Sequence, residues 1–231
     1  MERGDETSMA EQNRSVAALP DNDPYLGREL LYIFDLTIAL RLDEHKQIAS
    51  HTGGPGLSDL QRATIEIVPQ AVSIALAIRE LVRQANLFPA FVLLRPLIER
   101  TATVAWLRAR PEAVAAWHHG RQPARRRRPR LSQMLTTLHE WDQLSTKDPQ
   151  KISEFSKLLH QIVHGDPSIT HWNVVAESDG EFTHGMGKML HRPGMCDFVC
   201  LVTLHYFSLV TKLAQEILLP NQPSVLPSNP E

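Results

Sequence analysis

The stretch FPAFVLLRPLIERTATVAW, from Phe88 to Trp106, limits what this chain can fold into more than any other. Its apolar residues fall on nearly every side of a helical wheel, and a helix that apolar must be covered over most of its surface. Pro89 sits near its start, where a missing N–H costs little, and Pro96 lies inside, where a kink is expected. Arg95 and Glu99 stand four residues apart on one face, among Val92, Leu93, Leu94, Leu97 and Ile98. A membrane span needs about 20 largely uncharged residues, and Arg95, Glu99 and Arg100 interrupt this one. The stretch is therefore expected to be the central helix of a bundle, carrying a charged pair.

Helices that could cover it lie on both sides in the sequence. Pro24 to about Ser50 reads as the first, with Leu26, Leu30, Ile33, Phe34 and Leu40 at helical spacing. Leu31, Leu36 and Ile38 add apolar area elsewhere on its surface, so its middle is expected to be buried on most sides. The turn HTGGPG, His51 to Gly56, ends it. Ser58 followed by Gln61 is a capping-box pattern opening a second helix to Gln84, with an apolar stripe of Ile67, Ala71, Ile74, Ile78 and Leu81. Arg110-Pro111 separates the central helix from a short one ending at Gly120, and Leu131 to Leu144 resumes helix. Asp148-Pro149 is a start signal, Asp as N-cap and Pro as first helical residue, for a helix that Gly165 ends. Ile169 to Gly187 is richer in strand formers, with Asp179-Gly180 as a hairpin turn. Met195 to Leu219 is a last long apolar helix that His205, Lys212 and Glu216 make a poor membrane span. The expected fold is all-α: one domain of antiparallel helices over 22–219, with a small β-hairpin or ordered loop at 166–194. Polar residues 1–21 and the proline-rich 220–231 read as disordered tails.

The 231 residues carry a formal net charge of −2, so the molecule as a whole is not built to wrap nucleic acid electrostatically. The charge is uneven, however: Arg121, Arg125, Arg126, Arg127, Arg128 and Arg130 form a basic loop broken by prolines. Such a loop could contact the phosphates of RNA or an acidic protein, or simply be a solvated surface. Trp117, His118 and His119 just before it could stack on bases. Two cysteines, Cys196 and Cys200, give no disulfide framework, and with no leader pattern at Met1 the expectation is a reducing cytoplasm. Phosphate loops, nucleophile elbows and kinase motifs are absent.

Arg95 and Glu99 read either as a structural ion pair fixing the bundle or as the wall of a polar core site able to hold an anion. Asp35, inside an apolar run, needs a cationic or hydrogen-bonding partner and is a candidate for the same site. His160 and His164 lie four apart, His164 at a helix C-terminus whose dipole favours a cation. No third ligand stands at metal-motif spacing, and neither metal nor cofactor is expected.

LLRPLIERTATVAWL, followed later by KLLHQIVHGDP, resembles a bacterial family of helical proteins with an LLR-small-x-x-E helix and a helix ending in a V-H-G/P turn. That family in turn resembles the HEPN superfamily of nucleotide-binding α-bundles. The resemblance implies an often dimeric bundle, many of whose relatives are metal-independent RNases of toxin–antitoxin and phage-defence systems. Their signature is an arginine, four to six residues, then a histidine at a helix end. Here Lys157 stands in the arginine's place and Leu158 where a polar residue is usual. By resemblance His164 is the general acid or base, and Lys157, with Arg95, stabilises the phosphorane. The site would be composite across a homodimer. Two functions are therefore expected to compete: a non-catalytic HEPN-like binding or assembly module, and an RNase.

Overall fold

The computed structural model describes residues 27–51, 56–84, 86–118, 129–143, 145–166, 174–176, 182–184 and 193–220. Both expected tails, apart from Pro220, lie outside these residues, as do Arg121, Arg125, Arg126, Arg127 and Arg128 of the basic loop. The helices are α1 (Gly27–His51), α2 (Asp59–Arg83), α3 (Leu87–Ala109), α4 (Pro111–His118), α5 (Leu131–Trp141), α6 (Pro149–Val163) and α7 (Pro193–Leu218). Strands β1 (Val174–Ala176) and β2 (Phe182–His184) pair antiparallel, Val175 opposite Thr183. The architecture is all-α.

α3 lies at the centre. It packs against α2, α4, α5, α6 and α7, and Thr101 to Ala105 are buried in succession, which a helix shows only when covered all round. Its most extensive partner is α2. Ala63, Ile67, Ala71, Ala75, Ile78 and Val82 form the buried stripe of α2. Ile74 and Leu81, expected in that stripe, are half-buried, and Ala75 and Val82 take their places. At these two positions the buried face is turned by one residue from the expected stripe.

Asp35 in the first half of α1 meets Arg79 near the end of α2, and Gln61 at the start of α2 meets the Ile217 carbonyl at the end of α7, contacts that join opposite ends of these helices. α7 runs parallel to α3, shown by the successive contacts Phe91–Phe198, Thr101–Tyr206 and Arg108–Glu216. It also packs on α1 and α2. The bundle is thus mixed in direction, not purely antiparallel. α7 combines Phe207, Val210, Leu213 and Ala214, all fully buried, with Thr203 and Thr211, whose hydroxyls donate to carbonyls one turn back. Those back-bonds let polar residues sit in the core. By length and apolarity Cys196–Leu218 would suit a membrane crossing, contrary to the expectation from its charged residues. Over half of that stretch is packed inside the bundle.

Helix ends follow local chemistry. Ser58 Oγ accepts from the Gln61 N–H and the Gln61 side chain accepts from the Ser58 N–H, closing a capping box on α2. Ser58→Ala should cost about 1 kcal/mol, read as a fall of about 2–4 °C in the thermal midpoint. Asp148 caps α6 through the Gln150 N–H, with Pro149 in the first turn. At the other end the Asp166 N–H donates to Gln161 O (3.0 Å) and Gly165 N–H to Ile162 O (3.4 Å). This is a Schellman closure around Gly165, whose φ of +64° a side chain would strain.

The middle of α1 was expected to be buried on most sides. It is buried on one: Leu30, Phe34 and Ile38 face the core, whereas Ile33, Leu36 and Leu40 are about half exposed.

Candidate functional site

The Schellman closure makes His164 the C-cap of α6 and leaves its ring outside the bundle. Lys157 and His160 precede it by two turns and about one turn, so the three side chains share one face. All three are exposed. Imidazoles 160 and 164 are close, with ring centroids 4.2 Å apart and planes inclined by 50°. Among the described residues no ion pair holds Lys157 and no side-chain hydrogen bond holds His164.

α3 supplies the second wall. Arg95 Nε donates to Glu99 Oε1 at 2.8 Å, and Arg95 Nη1 donates to His160 Nδ1 at 3.1 Å. A guanidinium can only donate. His160 Nδ1 must therefore accept, and the ring proton of neutral His160 lies on Nε2, free to be offered outward. The same logic disfavours His160 as a metal ligand through Nε2. That tautomer would turn Nδ1–H against the guanidinium. Arg95 and Glu99 are 22% and 30% exposed, which puts the pair on the rim of the bundle and not in a core pocket. Both heads therefore reach water at the junction of α3 with α6.

Asp35 does not join this group. It forms a two-point pair with Arg79 of α2, at 2.7 and 3.1 Å, which also holds the Arg79 guanidinium protonated. The cationic partner it needed came from the adjacent helix. Arg130 is exposed at the start of α5, its N–H donating to Gln133 Oε1. Trp117, a candidate for base stacking, is half-buried against the core instead.

A buried polar network, not apparent from sequence, lies where the α5–α6 connection meets α7. His139 Nδ1 donates to Thr146 O at 3.0 Å, since a carbonyl only accepts, which leaves Nε2 to accept from the Tyr206 hydroxyl at 3.2 Å. Ser145 Oγ donates to Asp142 and receives a hydrogen bond from His205 Nε2 at 3.1 Å. Burial lowers the affinity of His139 and of His205 for a proton and pushes the Tyr206 phenol up. A serine, a histidine and an aspartate are thus together, but in the wrong order for nucleophilic catalysis. The serine proton is committed to the carboxylate, and the histidine donates where a general base would accept. The arrangement latches the connection onto α7. No local signal could have revealed it, because His139 and Tyr206 are 67 residues apart.

Cys196 and Cys200 are core residues, 3% and 0% exposed. Their thiol–thiol hydrogen bond and then burial push the Cys200 thiol well above its ordinary range. His205 turns to Ser145, so no cysteine–histidine ligand set forms with it.

What remains as a site is the α6 face, a row of Lys157, His160 and His164 with Arg95 anchored behind it. It offers donors and positive charge to an anion. No known protein family matches the chain, and no curated protein or solved structure is significantly similar to it.

Proposed function

We propose that this chain is a HEPN-like helical module that binds single-stranded nucleic acid, RNA foremost, along the exposed face of α6, with Arg130 and the basic loop extending the contact. The spacing of the row carries this reading. Lys157 and His164 are seven residues apart, hence about 10 Å along the helix. Helical side chains lean toward the N-terminus, and the longer lysine reaches further that way than the histidine does. Two such groups with the outward N–H of His160 between them suit separate phosphates of an extended strand better than one reacting phosphorus. The Glu99–Arg95 pair holds the donor's tautomer.

The test is fluorescence anisotropy of a labelled single-stranded RNA over a salt series. Lys157→Ala should weaken binding and lower the log–log salt slope by about 0.7, the value for one phosphate contact on a single strand. Neutralising Arg125 to Arg128 should lower it further. Binding that is absent at low salt, or indifferent to Lys157→Ala, would sink the proposal.

A second reading is favoured by one observation: the His164 ring is open to solvent beside His160. In it His164 acts as general acid or base on the ribose 2′-hydroxyl, Lys157 and Arg95 stabilise the phosphorane, and the site is completed across a homodimer. Cleavage of RNA in EDTA that is lost in both His164→Ala and Lys157→Ala would establish it.

A further inference from the structure

α1 has two apolar faces on opposite sides. One is buried against α7 and α2. The other leaves Tyr32 70% exposed, Ile33 51%, Leu36 46% and Leu40 55%. These four lie within about 100° on the helical wheel, and Tyr32, Leu36 and Leu40 follow at i, i+4 and i+8, which makes a ridge. A packed helix with a second apolar ridge facing outward marks a contact made with something else.

We infer that this ridge is where a second copy of the chain docks, α1 against α1, about a two-fold axis at Leu36. Leu36 is midway between Tyr32 and Leu40. An antiparallel pairing there sets Tyr32 of each copy against Leu40 of the other, ridge into groove along the i±4 rows. Size supports a second copy. Large side chains bury about 200 Å² each, so the four leave roughly 400 Å² uncovered, or about 800 Å² for two copies. Apolar atoms make up about 60% of an interface. The implied total of about 1,300 Å² falls within the range of specific, stable complexes.

Charge argues against a lipid surface. α1 carries Arg28, Arg41 and Lys46 against Glu29, Asp35, Asp43 and Glu44, whereas surface-binding helices are rich in Lys and Arg. The residues before α1 and after α7 offer only short apolar runs, Val16 to Leu19, Tyr25–Leu26 and Val225–Leu226, each too short to fill a ridge of this length. The pairing differs from the composite dimer implied by the resemblance. α1 packs on α7 and α2, and α6 on α3 and α5, so joining copies through α1 leaves both α6 faces open.

Sedimentation of the full chain, with circular dichroism on the same samples, tests this. Wild type should be a dimer at micromolar concentration. Leu36→Glu and Leu40→Glu should each raise the dissociation constant at least tenfold with helicity unchanged, because both sites are exposed. Val163→Glu, on the apolar exposed part of α6, should leave the dimer intact. Leu36→Cys should cross-link two chains on oxidation, since Cys196 and Cys200 are buried. A monomeric wild type, or a dimer indifferent to Leu36→Glu, would overturn the inference. A monomer whose Leu36→Cys thiol is shielded from a maleimide would overturn it in favour of cover by the chain itself. These readouts use no RNA, so their failure is separable from failure of the α6 proposal.

Discussion

Between pH 6.5 and pH 4 the protein is expected to lose about 3 kcal/mol of folding stability through His45 alone. Thr211 gives its hydroxyl proton to Phe207 O, so it can only accept from His45 Nε2. The proton of the neutral ring is thereby placed, and a second proton would have to go on Nδ1 of this partly buried ring, near Arg41. Burial first, and the Arg41 charge second, push this imidazole down to about 4 from an ordinary 6.5. The unfolded chain takes up the proton at the higher value. Stability from this group is therefore fully present above pH 6.5, falls through the window, and is gone below pH 4. His139 and His205, also lowered, add in the same direction. Urea melts at a series of pH values check this, and His45→Gln, whose amide can still donate to Thr211, should flatten the curve. A midpoint that holds constant from pH 7 to 4.5 would refute it.

Phe207→Ala is expected to cost about 3–5 kcal/mol, a large share of the total for a domain. Phe207 is fully buried where α7 meets α1, α2 and α3, and its ring stacks on His45 at 5.5 Å. A cavity there cannot collapse without moving several helices. Phe198, half-buried and edge-on to Phe91, should cost less when truncated. The denaturant midpoint should fall with an unchanged slope. The two predictions are coupled. Without the Phe207 ring, water reaches His45 and its proton affinity rises, so the double variant should cost less than the sum.

The sequence showed best what is decided locally. Ser58 with Gln61, Asp148 with Pro149, and Gly165 announce helix ends because their partners lie within a few residues. The core of α3 was legible because its apolar residues surround the short charged patch of Arg95, Glu99 and Arg100. Positions that depend on where a neighbour lies were not. Asp35 pairs with Arg79, 44 residues away, and no pattern around Asp35 distinguishes that partner from Arg95. The Arg95–Glu99 pair was visible as a spacing, but its place on the rim depends on how α6 packs on α3. For α1, helical spacing identified apolar residues without saying which stripe meets the bundle: Ile33 and Leu40 were read into the stripe of Leu30 and Phe34, and the buried Ile38 was left outside it.

The central place of α7 also bears on how the chain is made. His45 waits for Thr211, 166 residues later, to be synthesised. At about 5–20 residues per second that is roughly 8–30 s. Before it ends α1, α2 and α3 have been made, while α7, which packs on all three, is still incomplete. The nascent chain therefore presents apolar surface to its surroundings for far longer than helices take to form. Its production in cells should respond sharply to the supply of holdase chaperones at the exit tunnel.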